Sequence, residues 1–155
     1  MTHSITFHDL KGASVFIIGG GAGIGAALTE GFVAQGAKFT FVQRPNANSL
    51  VAKISVKYAN PPVSLPFDIS NITQLKSALQ TAAERHGPIS ILINNAANDT
   101  RHSLENYSLA QFDQNIAMNL RPHFFTAQSV LKDMRNICGG AIINFSSISY
   151  LMGNA

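Results

Sequence analysis

The strongest constraint on the fold lies in eight residues. The apolar run SVFII (14–18) leads straight into the loop IGGGAGIG (18–25), and an amphipathic stretch follows at once. A strand, a glycine-rich turn and a helix in that order form the geometry that holds a pyrophosphate. The helix N-terminus offers unpaired N–H groups and the positive end of its dipole. Glycine allows a tight turn, close approach of backbone to ligand, and tight packing of helix on strand; Gly19, Gly23 and Gly25 fit those three jobs. The competing reading is a flexible loop without a ligand. Placement between a strand and a helix favours the first reading.

The rest of the chain repeats the strand–helix alternation. Strands are expected at 14–18, 38–42 (KFTFV), 63–67 (VSLPF), 89–93 (ISILI) and 141–145 (AIINF). A helix is expected over 23–35, with Ile24, Leu28, Phe32 and Val33 on one face and Gly36 as its stop. A second starts at Ser70 or Asn71 and stops at Gly87-Pro88. Ser108 with Gln111 forms a capping-box pattern opening a helical stretch to about residue 136, which Pro122 kinks or divides. Strands alternating with helices build a parallel sheet, and nearly all-apolar strands expect helices on both faces. The 155 residues, 46% apolar and 12% charged, suit one α/β domain.

Composition removes several function classes. The apolar runs fall short of a membrane span, so no membrane partner is expected. The opening MTHSITFHDLKG has no basic start and no apolar core, hence no signal peptide is read there. The lone Cys138 allows no internal disulfide and suits a cytoplasmic protein. A net charge of +3 comes from scattered Lys and Arg, which argues against a nucleic-acid partner. Histidines at 3, 8, 86, 102 and 123 have no metal-site spacing, so no metal is expected.

The glycine spacing G-x-x-x-G-I-G (19–25) resembles the short-chain dehydrogenase/reductase family. Further stretches match family motifs in the same order: FDI (67–69), NNAA (94–97), MNL (118–120) and INFSSIS (143–149). The pieces NNAANDTRH, NLRPHFF and INFSSISY are similar to the family's bacterial sugar 1-dehydrogenases of the xylose type. The resemblance implies a Rossmann-like doubly wound parallel sheet, truncated after the fifth strand. It also implies hydride transfer between NAD or NADP and a small-molecule alcohol or sugar substrate.

By that resemblance, Gly19, Gly23, Ile24 and Gly25 wrap the cofactor diphosphate, Asp68 bonds the adenine amino group and Ile69 supplies an apolar wall. Asn95 and Ala96 pass close to the cofactor. Asp68 also reads as a capping acid before Ser70. At the end of the second strand an acidic residue would bond the ribose hydroxyls and repel a 2′-phosphate. Gln43 stands there, followed by Arg44, which can pair with a phosphate or simply face solvent, so NAD and NADP both stay open. Ser147 matches the serine that bonds the substrate oxygen, and Asn119 the asparagine that holds a kinked helix and a proton-relay water. Asn98, Arg101 and His102 lie where a sugar hydroxyl would meet them, while Tyr107 and Tyr150 read as packing residues. The chain departs from the family pattern with Ile18 in place of Thr and Ala97 in place of Gly.

Family chemistry uses a Tyr-x-x-x-Lys pair beyond the serine. Bringing a tyrosine from a pKa near 10 to about 7 takes about 3 units, roughly 4 kcal/mol. The lysine and the oxidised nicotinamide supply it. Here Tyr150 follows Ser147 too closely, Asn154 rather than Lys stands four residues after it, and no lysine occurs after Lys132. The chain as given is therefore expected not to catalyse efficient dehydrogenation. The alternative to an enzyme portion is a catalytically inactive nucleotide-binding fragment. With no further strands, AIINF becomes an apolar sheet edge, a template for pairing. The helices over 104–137 pack against a second subunit in this family, so a homo-oligomer is expected.

Overall fold

The structure, a computed structural model, describes residues 5–148. Side chains of its first strand, β1 (Ser14–Ile18), point alternately to two cores. Val15 and Ile17 join Phe39 and Phe41 on one face; Phe16 and Ile18 join Val42 and Leu92 on the other, and all eight are buried. β2 (Lys38–Gln43) and β4 (Ile91–Asn94) flank β1, with β3 (Val63–Pro66) and β5 (Ala141–Asn144) outside them. All pairings are parallel and the order is β3-β2-β1-β4-β5. The direction of winding reverses between β1 and β4, which opens a crevice at the carboxyl ends of those strands. Register aligns the crevice floor in one row, Val42–Ile18–Asn94–Asn144.

Among the described residues, five α-helices cover the sheet: α1 (Gly23–Ala34), α2 (Asn48–Lys57), α3 (Ile72–His86), α4 (Leu109–Asn119) and α5 (Arg121–Asn136). α1 and α2 pack on the Val15/Ile17 face through Val33 and Ile54; α3 and α5 pack on the Phe16/Ile18 face through Leu75, Leu79 and Val130. Asn71 caps α3 by accepting the Gln74 N–H, and Gly87 ends it. The Ser108–Gln111 capping box opens α4 as the spacing expects. Pro122 divides rather than kinks: α4 ends at Asn119, Leu120 leaves helical geometry, and Pro122 sits in the first turn of α5, where its missing N–H costs nothing.

Two expectations need correction. The buried stripe of α1 is Gly25, Thr29 and Val33, with Leu28 and Phe32 partly buried, whereas Ile24 is 63% exposed. A glycine lets the helix close on the sheet, and that contact turns Ile24 outward. α2 is an additional helix, and it starts without a side-chain cap. Helical cover is also uneven: all of β5 is exposed, and Ile142, Ile143 and Phe145 lie on this edge of the sheet, as the sequence expects. Ile18, where the family has Thr, is fully buried in the core and contributes on the order of 2 kcal/mol there. Tyr150 and Asn154 lie outside the described residues.

Candidate active site

The loop after β1 is built around the lack of side chains. Gly19 has φ +84°, and a Cβ on it would come within 2.9 Å of Ala96 Cα and Cβ. Gly23 has φ +52° at the start of α1. Gly25 packs against the Gly19 carbonyl, which accepts the Asn95 side-chain N–H at 2.8 Å. Thr29, fully buried, donates its hydroxyl to the Gly20 carbonyl at 2.7 Å, with the Gly25 carbonyl 2.9 Å away. Thr29 was invisible to sequence reasoning, because a Thr inside an amphipathic helix carries no motif. α1 has no side-chain cap and no acidic residue in its first turn, so its N-terminal dipole is left for an outside anion.

A cleft of about 310 Å³ opens in front of this loop. Gly19, Gln43, Arg44, Ile69, Asn95 and Ala96 line it, and these are six of the sequence-predicted cofactor residues. Ala22, Val42, Pro45, Ala97 and Met118 complete the wall. Ile24 is not part of it; it lines a separate apolar groove with Phe7, Leu10 and Phe32. Gly23 and Gly25 shape the loop behind the wall. Ala97 has no positive φ, so this backbone tolerates the methyl group that replaces the family glycine.

Asp68 sits beside Ile69 and just outside the lining. Its Oδ1 accepts the Ser70 N–H at 2.9 Å. That bond and the Ser70 hydroxyl, aided by the Arg44 charge, hold the carboxyl below its usual range. The cap of α3 itself is Asn71, so Asp68 makes a turn before the helix rather than capping it. Gln43 bends back to donate to the Pro45 carbonyl at 2.9 Å and lies against Gly21, while Arg44 is exposed.

The row of strand ends is tied by amides. Asn94, fully buried, donates to Asn144 Oδ1 at 2.8 Å and accepts the Thr126 hydroxyl at 2.9 Å. His123 Nε2 lies 3.2 Å from the Ala96 carbonyl. Burial pulls the His123 pKa below its ordinary value, and the bond to Ala96 opposes that only in part. In its neutral form the ring meets that carbonyl oxygen only as an Nε2–H donor. Ser147 is exposed, three residues past β5, and lines neither this cleft nor the next.

Beyond Ala97 a second cleft of about 300 Å³ lies between the 98–102 loop and α4. Asn98, Arg101 and His102, the predicted substrate residues, all line it, together with Tyr107, Gln111 and Asn115. Asn119, at the end of α4, binds both backbone groups of Asn98: the Asn98 N–H donates to Oδ1 at 2.7 Å and Nδ2 donates to the Asn98 carbonyl at 3.0 Å. Tyr107, expected to pack, does stack on His102 (3.8 Å between centroids), and its hydroxyl is hydrogen-bonded as well. Among the described residues, no group of three or more His, Cys, Asp or Glu gathers as a metal site, and no helix is long and apolar enough to cross a membrane.

The short chain dehydrogenase family model matches residues 13–155. The chain is 38% identical over 151 residues to the "Probable galactose dehydrogenase" of Rhizobium meliloti, covering 96% of this chain and 59% of that protein. The D-xylose 1-dehydrogenase of Caulobacter vibrioides is also 38% identical over 151 residues, with 97% and 59% covered. Among solved structures, a short-chain dehydrogenase/reductase from Serratia marcescens aligns with a TM-score of 0.83 at 28% identity, covering 91% of this chain and 58% of that one. An NADH-dependent reductase in complex with NAD shares the fold at a TM-score of 0.87 and 24% identity, over 97% and 66% of the two chains. The chain thus spans about 59% of the length of these curated relatives. Across that span, from the strand that opens the glycine loop onward, this chain belongs to the short-chain dehydrogenase family.

Proposed function

We propose that this chain forms the dinucleotide-binding part of an NAD(P)-dependent oxidoreductase acting on a sugar or a related alcohol. One observation carries the reading: a loop whose glycines are required by contact and by φ angle, facing a cleft at the uncapped N-terminus of α1. A pyrophosphate fits there because backbone N–H groups and a helix dipole supply the favourable charge. Bound in the cleft, a nicotinamide dinucleotide would supply the hydride acceptor or donor. The chain's own residues grip and orient: Gly19 and Ala22 approach the diphosphate, Ile69 and Val42 wall the adenine end, and Asp68 presents an ionised carboxylate beside it. β2 ends without a carboxylate, and Arg44 is free to meet a 2′-phosphate, so the reading includes NADP as well as NAD.

The sugar rests on the relatives' names and on the polar residues Asn98, Arg101, His102, Gln111 and Asn115 along the second cleft. Cofactor binding is the part of that activity which the residues of this span carry. Exposed Leu104, Leu109, Phe112 and Phe124 on and beside α4 and α5 support a homo-oligomer, which sedimentation velocity measures directly. The deciding experiment titrates the chain with NADH and NADPH by fluorescence and assays D-xylose and D-galactose oxidation. Saturable dinucleotide binding is the expected result. No response to either dinucleotide would remove the reading.

A further inference from the structure

The loop beyond the cofactor cleft is held by a directional series of hydrogen bonds. Asn98 N–H donates to Asn119 Oδ1; Asn119 Nδ2 donates to Asn115 Oδ1; Asn115 Nδ2 donates to the Tyr107 hydroxyl; and that hydroxyl donates to the Gln111 carbonyl. The second Nδ2 proton of Asn119 goes to the Asn98 carbonyl. The donors and acceptors match in only one sense. Turning the Asn119 amide over would set N–H against the Asn98 N–H and oxygen against the Asn98 carbonyl. Bonds aligned this way polarise one another and fix each amide in one orientation. The Tyr107 ring also stacks on His102 at 3.8 Å and 15°, and His102 Nδ1 lies 3.2 Å from the Thr100 carbonyl. The 98–102 loop is exposed, yet it is held at both ends, and Tyr107 joins the two holds.

We infer that Tyr107 is a positioning residue of the substrate cleft: its hydroxyl sets the Asn119 amide through Asn115, and its ring sets His102. This rests on reading the second cleft as the place of the substrate. Asn119 is the residue the family pattern puts in the proton relay, and Asn98 adjoins Ala97 in the cofactor wall. The phenol thus links the end of α4 to the loop that faces both ligands. Neither Tyr107 nor Asn115 belongs to a motif, and only the geometry brings them forward.

The test compares Y107F, Y107L, N115A and the Y107F/N115A pair in the whole chain, by residue-resolved amide exchange and the Asn119 side-chain amide resonance. Y107F keeps the ring and removes the hydroxyl. It is expected to raise Asn98 exchange roughly tenfold, the effect of losing about one net hydrogen bond. It is also expected to shift the Asn119 side-chain signal while His102 and the α4 amides stay unchanged. N115A is expected to match it, with no further increase in the double variant. Y107L is expected to free the His102 end as well. Unchanged Asn98 exchange in Y107F, or a uniform rise along α4, would overturn the assignment. NADH titration of the wild type separates the two levels. Binding without an effect of Y107F on Asn98 refutes the role of Tyr107, whereas an intact hydrogen-bond series without dinucleotide binding refutes the functional reading.

Discussion

A Cβ built on Gly25 falls 1.8 Å from the carbonyl oxygen of Gly19. The first turn of α1 therefore rests on the backbone of the loop it follows. The same carbonyl accepts the Asn95 side chain at 2.8 Å, and the added Cβ would also come 2.9 Å from that nitrogen. Three sequence-predicted residues meet at one oxygen atom, and each fixes the others.

Gly25→Ala is accordingly expected to damage both the fold and the site. Because the obstructing atom is backbone, the helix must move, at a cost of about 1–3 kcal/mol for overpacking. The Gly19 carbonyl and the Asn95 amide would shift with it. Urea unfolding should show the loss, and NADH affinity should fall at least roughly tenfold, the equivalent of about 1.4 kcal/mol. Full NADH affinity in the variant would show that the loop does not contact the dinucleotide.

Asn94→Leu tests the floor of the crevice. The substitution keeps a similar volume and removes the donor to Asn144 and the acceptor for Thr126. Thr126 keeps the Pro122 carbonyl within 2.9 Å, so its hydroxyl is not stranded. Asn144 lies on the exposed strand and can turn to water. The expected loss is about 1–3 kcal/mol in urea unfolding, at the level of one or two buried hydrogen bonds. Asn144→Ala should cost less, because its partner row ends in solvent. Equal losses for the two variants would contradict this ordering.

Much of the frame is legible in the sequence because its signals are local. The five strands sit within two residues of the apolar runs, and the Asn71 cap, the Ser108–Gln111 box and the Gly36 and Gly87 turns each lie where the residue types place them. The glycine loop was readable for the same reason, since φ and close packing restrict the residue type directly. α2 was not legible: Ala47 offers no cap, and Ile54 is its one fully buried residue. The outward turn of Ile24 was hidden because helical period alone cannot say which face the sheet selects. The Asn94–Thr126 bond joins different elements and the Tyr107–Asn115 bond joins α4 to the segment before it, and no spacing rule reports either; Asn115 and Asn119 stand four apart on α4, a spacing that permits their bond without singling it out. Ser147 was legible as a motif residue, but its relation to the clefts depends on tertiary placement.

Arg44 offers a test of cofactor discrimination. It is exposed just after β2 and lines the cleft beside Gln43; no carboxylate is among the lining residues, and Asp68 just outside them is near enough to feel the Arg44 charge. Arg44→Ala is expected to weaken NADPH binding roughly tenfold or more and leave NADH nearly unchanged, since a charge-assisted bond to phosphate contributes about 1.5–3 kcal/mol when well formed. Gln43→Asp is expected to favour NADH, by pairing with ribose hydroxyls and repelling the phosphate. Paired fluorescence titrations give both ratios. An Arg44→Ala variant that loses the two cofactors equally would place the guanidinium elsewhere.

Stability is expected to fall as pH drops from 7 toward 5. Burial lowers the pKa of His123, and burial with the charges of Arg85 and Lys38 lowers that of His86. An unfolded imidazole titrates near 6.5. In this window the unfolded chain takes up protons that the folded chain refuses, so acid favours unfolding; the contribution of both groups is complete above the unfolded value and is lost as pH falls through the folded one. The carboxyls of Asp68 and Glu30 are also held low, but their losses begin only near the ordinary carboxylate range, at about pH 4. His123→Gln retains an N–H donor near the Ala96 carbonyl and does not titrate, so its melting temperature should depend less steeply on pH between 7 and 5. A wild-type melting temperature that stays flat or rises on acidification across that interval would rule out neutral, partly buried imidazoles at these two positions.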